Sequence, residues 1–127
     1  MLAQLDHLIL AVNDLKASVD FYTRILGFEY EHERPPFSVV RVTPHFVIQL
    51  APWGTSGNEH LAFSMTPAEF EQTFQRIRDA GFSYGDAFDA AHNMRGPGPS
   101  EGARGETQSL YLFDPNHHLI EILSYAL

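Results

Sequence analysis

The stretch HLILAV at residues 7–12 decides the fold, because HLAFSM at residues 60–65 repeats its pattern. Each stretch is followed by a helical pattern that ends at a Gly-Phe pair, with Gly27 in the first copy and Gly81 in the second. A glycine directly after the last apolar position is a common helix terminus. The repeat indicates that the chain contains two copies of one supersecondary unit.

Each of the two helices also carries a start signal. Asn13 or Asp14 can serve as the N-cap of the first helix. The second helix opens with Thr66, Pro67 and Glu69, which have the spacing of a capping box with proline at the first helical position. Local hydrogen bonding therefore predicts where both helices begin.

Strand patterns after each helix complete the two copies. The predicted strands are residues 38–43 and 46–50 in the first copy, and residues 109–113 and 119–124 in the second. The plan is strand, helix and three strands, repeated once, which is an α+β fold. We expect one domain over residues 1–127, with module one at about 1–55 and module two at about 56–127.

A connection rich in glycine and proline lengthens the second copy, at about residues 89–107. Its centre, residues 95–105, reads RGPGPSEGARG. We expect no regular structure there, because glycine and proline both disfavour helix and strand interiors. Long loops in small domains are usually either functional or disordered. This segment is therefore a candidate lid that contacts substrate, with a disordered surface loop as the alternative.

Composition excludes several function classes. Eight Lys plus Arg stand against 16 Asp plus Glu, and the formal charge of -8 disfavours nucleic acid and anionic membranes as partners. The longest apolar run covers only residues 8–12, and the first residues lack the pattern of a signal peptide. There is no cysteine. We therefore expect a soluble, cytoplasmic protein with a single domain.

Three polar residues on apolar strands suggest a metal site. His7 and His60 open equivalent strands of the two copies, and Glu121 lies among leucines and isoleucines in the last strand. An ionised carboxylate in such surroundings is costly unless it is paired or binds a metal. Two imidazoles and one carboxylate suit zinc, manganese, iron, nickel or cobalt. We predict one divalent ion per chain, against the simpler alternative of three partly exposed side chains.

The remaining histidines carry no comparable signal. His117 and His118 lie in the turn DPNHH at residues 114–118 and are expected to be solvated. His32, His45 and His92 have no spacing that indicates a ligand.

Both ends of the chain resemble the signatures of the vicinal oxygen chelate superfamily. The resemblance lies in LDHLILAVNDL at residues 5–15 and LYLFDPNHHLIE at residues 110–121. This superfamily includes glyoxalase I, fosfomycin-resistance thiol transferases, extradiol dioxygenases and bleomycin-resistance proteins. The resemblance implies two βαβββ modules in a cupped mixed sheet, the glyoxalase/bleomycin resistance/dihydroxybiphenyl dioxygenase fold. It also matches His7, His60 and Glu121 to the metal-ligand positions, with substrate oxygens chelated by the ion.

The resemblance further implies roles around the metal. Glu121 and Tyr111 are the expected catalytic residues, since Gln49 stands where glyoxalase I enzymes usually carry a glutamate and a neutral amide cannot act as a base. The expected substrate contacts are Gln49, Trp53, Arg104, Ser109 and Tyr111.

Three functions stay open at this point. The first is a metal-dependent lyase, isomerase or transferase that acts on a small oxygenated metabolite. The second is a non-catalytic antibiotic-binding protein of the bleomycin-resistance type, for which Phe37, Trp53 and Tyr111 permit an aromatic groove. The third is an extradiol dioxygenase, whose ligand set is the same but whose catalytic histidine has no counterpart in residues 102–110.

The resemblance to short family members also implies a homodimer. In that arrangement each metal site takes His7 from one chain, and His60 and Glu121 from the other. Pairing of both modules within one chain is the alternative.

Overall fold

The computed structural model describes residues 1–125. It divides into two compact units, of which the first is Met1–Ser56 and the second begins at Gly57. Each unit is built around its own four-stranded sheet. In this described part of the chain, no helix is long and apolar enough to cross a membrane.

Unit one has the order strand, helix, three strands. Its elements are β1 (His7–Ala11), α1 (Leu15–Asp20) continued by a π-helical segment (Phe21–Ile25), β2 (Glu29–Arg34), β3 (Phe37–Thr43) and β4 (Phe46–Ala51). The strands lie in the order β1-β4-β3-β2, with β1 parallel to β4 and the other neighbours antiparallel. β1 is therefore an edge strand of this sheet.

The first helix begins and ends where the sequence predicts. The Asp14 side chain accepts a hydrogen bond from the Ala17 backbone N–H at 3.0 Å, which makes Asp14 the N-cap. Gly27 follows the π-helical segment with a φ of 87°, a conformation that favours glycine. Phe21 and Tyr22 are buried, and the fully buried side chains of Leu10, Val12, Ile48 and Leu50 belong to the core of the same unit.

Unit two repeats this order. Its elements are β5 (His60–Ser64), α2 (Pro67–Asp79), β6 (Gly98–Gly102), β7 (Gly105–Phe113) and β8 (Leu119–Ser124). The strands lie in the order β5-β8-β7-β6, with β5 parallel to β8. Two four-stranded mixed sheets, each with its helix, confirm the predicted α+β fold.

The second helix has the predicted capping box. Thr66 Oγ1 accepts from the Glu69 backbone N–H at 3.2 Å and donates to Glu69 Oε1 at 2.9 Å. Phe70, Phe74 and Ile77 recur at helical spacing and are buried, and α2 contacts β8. The packing of this stripe fixes α2 to the face of the sheet opposite Glu121, because Ile120 and Ile122 alternate with Glu121 along β8.

The expectation for residues 95–105 is wrong. Gly98–Gly102 forms β6, which pairs antiparallel with β7 at the edge of the sheet. An edge strand leaves one side of its ladder unpaired and so accommodates proline. The glycines reflect close packing, because a Cβ on Gly98 would lie 2.9 Å from Asp86 Cβ and one on Gly102 would lie 2.2 Å from Tyr125 Oη.

Candidate metal and substrate site

Unit two brings two of the predicted ligands together. Ala62 of β5 lies opposite Glu121 of β8, and His60 shares the face of Ala62 because it lies two residues earlier in the strand. His60 Nε2 is 3.2 Å from Glu121 Oε1. The His60 side chain is 46% exposed, whereas that of Glu121 is 7% exposed. The His60 imidazole is thus open to solvent, and the Glu121 carboxylate is buried.

Glu121 has an incomplete set of partners. Within residues 1–125, its Oε2 atom is buried and accepts no hydrogen bond. An unpaired buried polar atom costs about 1–3 kcal/mol, and more if it is charged. A group of this kind fits a cation, which can coordinate a carboxylate oxygen that the protein itself leaves without a donor.

The geometry of the pair also fits a first-row metal ion. Two donor atoms bound at about 2.1 Å and separated by roughly 90–109° lie about 3.0–3.4 Å apart. The 3.2 Å between His60 Nε2 and Glu121 Oε1 falls in this range. The two donor atoms are therefore already at a separation that a bound metal ion would require.

Unit one holds the counterpart of this arrangement. Ile9 of β1 lies opposite Gln49 of β4, so His7 and Gln49 have the same register relation as His60 and Glu121. His7 Nδ1 lies 2.8 Å from Asp6 Oδ2. When Nδ1 carries the proton, Asp6 accepts it in a hydrogen bond and Nε2 keeps a lone pair for coordination. The repeat has thus placed an amide where the other copy has a carboxylate.

Neither unit, as far as residue 125, groups three His, Asp or Glu side chains that could hold a metal ion. His7 belongs to unit one, whereas His60 and Glu121 belong to unit two. The three-ligand site therefore stays a prediction.

Tyr111 lies beside His60 and Glu121 in unit two. It is opposite Glu121 in the β7–β8 pair, and its ring is stacked on the His60 ring with 6.3 Å between centroids. Burial raises the pKa of the Tyr111 phenol, and the Glu121 carboxylate raises it further, while hydrogen bonds with Ser100 and Ser109 lower it. The net shift is upward, so Tyr111 keeps its proton at neutral pH.

One serine hydroxyl contacts the Tyr111 phenol, and another pair of hydroxyls lies on the same strand as Tyr111. Ser100 Oγ lies 2.9 Å from Tyr111 Oη, and Thr107 Oγ1 lies 2.6 Å from Ser109 Oγ. The sequence pattern gave no signal for Ser100, because this residue lies in the segment expected to lack structure. A hairpin register with Ala103 and Arg104 at its turn would have revealed it, since Ser100 pairs with Thr107.

Two other predicted substrate contacts have local partners. The Arg104 guanidinium lies 4.2 Å from the centre of the Tyr125 ring. The backbone N–H of Arg104 donates to Tyr125 Oη at 3.2 Å. Trp53 follows β4 in unit one, is 61% exposed, and meets Phe37 edge to face at 5.9 Å. The roles of Arg104 and Trp53 in substrate binding stay predictions.

The expectation for His118 is wrong, because its side chain is 1% exposed. Its Nδ1 accepts hydrogen bonds from the backbone N–H groups of Asn58 and Glu59, at 3.4 and 3.3 Å. The sequence did not reveal this burial, because His118 follows a polar turn and polar turns are usually exposed to solvent. His117 is exposed as expected, and its ring stacks on Phe113 with 4.0 Å between centroids.

Comparison with known proteins identifies the family of this chain. A family model for the Glyoxalase/Bleomycin resistance protein/Dioxygenase superfamily matches residues 4–122. The chain belongs to this superfamily. The family expected from the two terminal signatures is confirmed.

Individual members of the glyoxalase superfamily match over most of their length. The chain is 30% identical to virulence protein STM3117 of Salmonella typhimurium, over 97% of this chain and 85% of that protein. It is 30% identical to the glutathione transferase FosA of Serratia marcescens, over 96% of this chain and 81% of that protein. The solved structure of oxidase ChaP-H2 is 32% identical, with a TM-score of 0.79 over 98% of this chain and 94% of that one.

These relatives do not share one chemistry, since one is named a transferase and another an oxidase. In this superfamily member the residues of the site therefore determine the reaction. Unit two supplies an imidazole nitrogen, an unsatisfied carboxylate and a protonated phenol on one sheet face. Such a set can coordinate a cation and donate a hydrogen bond to a ligand beside it.

Proposed function

We propose that this protein is a divalent-metal-dependent enzyme of the glyoxalase superfamily that acts on a small, oxygen-rich metabolite. One zinc, manganese, iron, nickel or cobalt ion per chain would be held by His7, His60 and Glu121. The observation that carries the proposal is the buried Glu121 carboxylate. Its Oε1 lies 3.2 Å from His60 Nε2, and its Oε2 has no hydrogen-bond donor in the described chain.

When bound, the ion supplies a Lewis acid that stabilises negative charge on a substrate oxygen. The chain supplies the rest of the chemistry. Tyr111, which keeps its proton, donates a hydrogen bond to a substrate oxygen while Ser100 holds its Oη in place. Glu121 can take up a proton from the substrate, whereas the Gln49 amide can only orient it. This division of roles suits lyase, isomerase or transferase chemistry.

We also propose that the metal sites are shared within a homodimer, with His7 from one protomer and His60 and Glu121 from its partner. His7 and His60 open the edge strands β1 and β5, and their side chains are both 46% exposed. Apolar side chains near β1 are exposed as well, with Leu2 at 99% and Leu5 at 68%. Exposed apolar surface beside an edge strand favours association with a second chain.

A metal titration tests the proposal. The purified protein is stripped with a chelator, titrated with Zn²⁺ or Co²⁺ in a calorimeter, and assayed for bound metal after dialysis. We expect about one ion per chain in wild type and none in Glu121→Gln, which keeps shape but removes the charge. Glu106→Gln is the matched control, because Glu106 is an exposed carboxylate on the adjacent strand β7. Full metal content in Glu121→Gln contradicts the proposed site.

One observation favours a second function, non-catalytic binding of a planar ligand. Trp53 is largely exposed and forms an aromatic corner with Phe37 in unit one, and such a corner can stack a flat ring. Trp53 is the single tryptophan of the sequence, so quenching of its fluorescence reports directly on binding. Bleomycin is the probe. Quenching that persists in metal-free protein and in Glu121→Gln supports the binding function over the enzymatic one.

A further inference from the structure

We infer that His118 is a positioning residue that fixes the direction in which the His60 side chain projects from β5. The inference rests on the proposed function only for the role of His60 as a ligand. His118 is 1% exposed, so it cannot meet a substrate from solvent. Its ring instead faces the backbone that leads into β5.

Three hydrogen bonds connect this backbone to the residues before and at the start of β8. His118 Nδ1 accepts from the N–H groups of Asn58 and Glu59 at 3.4 and 3.3 Å. The Glu59 carbonyl accepts from the Leu119 N–H at 2.9 Å. Because Nδ1 accepts, the proton of the neutral imidazole is on Nε2. Asn58 and Glu59, the two residues directly before His60, are therefore held by the His118 side chain and by the backbone N–H of Leu119.

His60 depends on such an anchor because β5 is an edge strand. Within the sheet of unit two, β8 is its one neighbour, so the first residue of β5 lacks a second strand to hold it. Terminal residues of an edge strand open more easily than a strand interior. A slip of one residue would also turn His60 to the opposite face, away from Glu121.

The turn that carries His118 has hydrogen bonds of its own. Asp114 Oδ1 accepts from the backbone N–H groups of Asn116 and His118 at 2.8 Å each, and the Asn116 amide donates to Asp114 Oδ2 at 3.0 Å. The incoming segment lies against this turn, because a Cβ on Gly57 would lie 2.2 Å from the His117 carbonyl oxygen. The hydrogen-bonded turn and the close packing of Gly57 against it hold His118 in place, so that His118 can position His60.

Two substitutions separate positioning from general stability. His118→Ala removes the acceptor, whereas His118→Asn supplies an amide oxygen that can replace Nδ1. Phe74→Leu is the control, because Phe74 is buried in α2 and takes no part in these contacts. Amide hydrogen exchange is measured at residues 58–60 in the metal-free proteins, and Zn²⁺ affinity is measured by calorimetry.

We expect His118→Ala to speed exchange at Asn58 and Glu59 by about tenfold relative to residues 61–64 of β5, since one hydrogen-bond acceptor is removed. Zn²⁺ affinity should fall by about tenfold or more, as it does when a group that orients a ligand is removed. His118→Asn should recover most of both effects, and Phe74→Leu should produce neither.

Three outcomes overturn the inference: unchanged exchange at residues 58–60 in His118→Ala, no recovery in His118→Asn, or the same local loosening in Phe74→Leu. If wild type binds no Zn²⁺, the proposed function fails. The exchange comparison still decides whether His118 positions His60.

Discussion

Replacing Glu121 by leucine should stabilise the metal-free protein. The Glu121 side chain is 7% exposed, and its Oε2 has no donor among the described residues. An unsatisfied buried polar atom costs about 1–3 kcal/mol. The interaction of Glu121 with His60, whose side chain is 46% exposed, contributes at most about 1 kcal/mol because solvent screens it. The free energy of unfolding should therefore rise by up to about 2 kcal/mol, or up to roughly 8 °C in Tm.

Zinc should reverse this order. A ligand that binds the native state at a hundred times its Kd stabilises it by about 2.7 kcal/mol. Wild type should gain this amount, whereas Glu121→Leu lacks a charged ligand and should gain nothing. At saturating zinc, wild type should become the more stable protein by about 1 kcal/mol or more.

The assay is thermal and urea unfolding followed by circular dichroism, in chelator and in excess Zn²⁺. Glu106→Leu controls for the general effect of the substitution on a strand, because Glu106 is exposed in β7. If Glu121→Leu is less stable than wild type in chelator, the carboxylate is satisfied in the native state and the reasoning fails. Equal stabilisation of both proteins by zinc would place the metal elsewhere.

Individual side chains of the site and of α2 allow three more tests. Ser100→Ala should raise the pKa of Tyr111 further, because the hydrogen bond with Ser100 lowers it; NMR titration of the tyrosine Cζ resonances, assigned with Tyr111→Phe, measures the change, and a fall would contradict the assigned role. Co-refolding His7→Ala with Glu121→Ala should restore metal to a fraction of the wild-type content, since the heterodimer holds one intact ligand set; no rescue despite subunit exchange would locate each site in a single chain. Thr66→Ala should lower the free energy of unfolding by about 1 kcal/mol through loss of the N-cap, and an unchanged urea midpoint would count against the capping box.

The sequence was sufficient for features that depend on neighbouring residues. Asp14 and Thr66 cap helices through hydrogen bonds that reach only three residues along the chain, so their spacing predicts them. Strand alternation assigned His60 and Glu121 to faces, since side chains change face at every residue. Their contact also required the parallel β5–β8 register, which the structure supplies.

Long-range packing decided what the sequence concealed. Gly98 and Gly102 looked like loop glycines, yet they are small because Asp86 and Tyr125 lie against them in an edge strand. β2 was hidden for another reason: all of its residues, EYEHER, are exposed, so no apolar alternation marks it. β2 and β6 are both edge strands, where the alternation of apolar and polar residues is weakest.

The site divides in the same way. The sequence by itself determined which residue types the two copies carry at equivalent positions, including the exchange of a carboxylate for Gln49. Only the tertiary structure decided that Ser100 reaches the Tyr111 hydroxyl and that His118 is buried against Asn58. These contacts join segments that are distant along the chain, and no local periodicity records them. These contacts stabilise the protein only after the sheet has formed and water has been excluded from between the contacting segments.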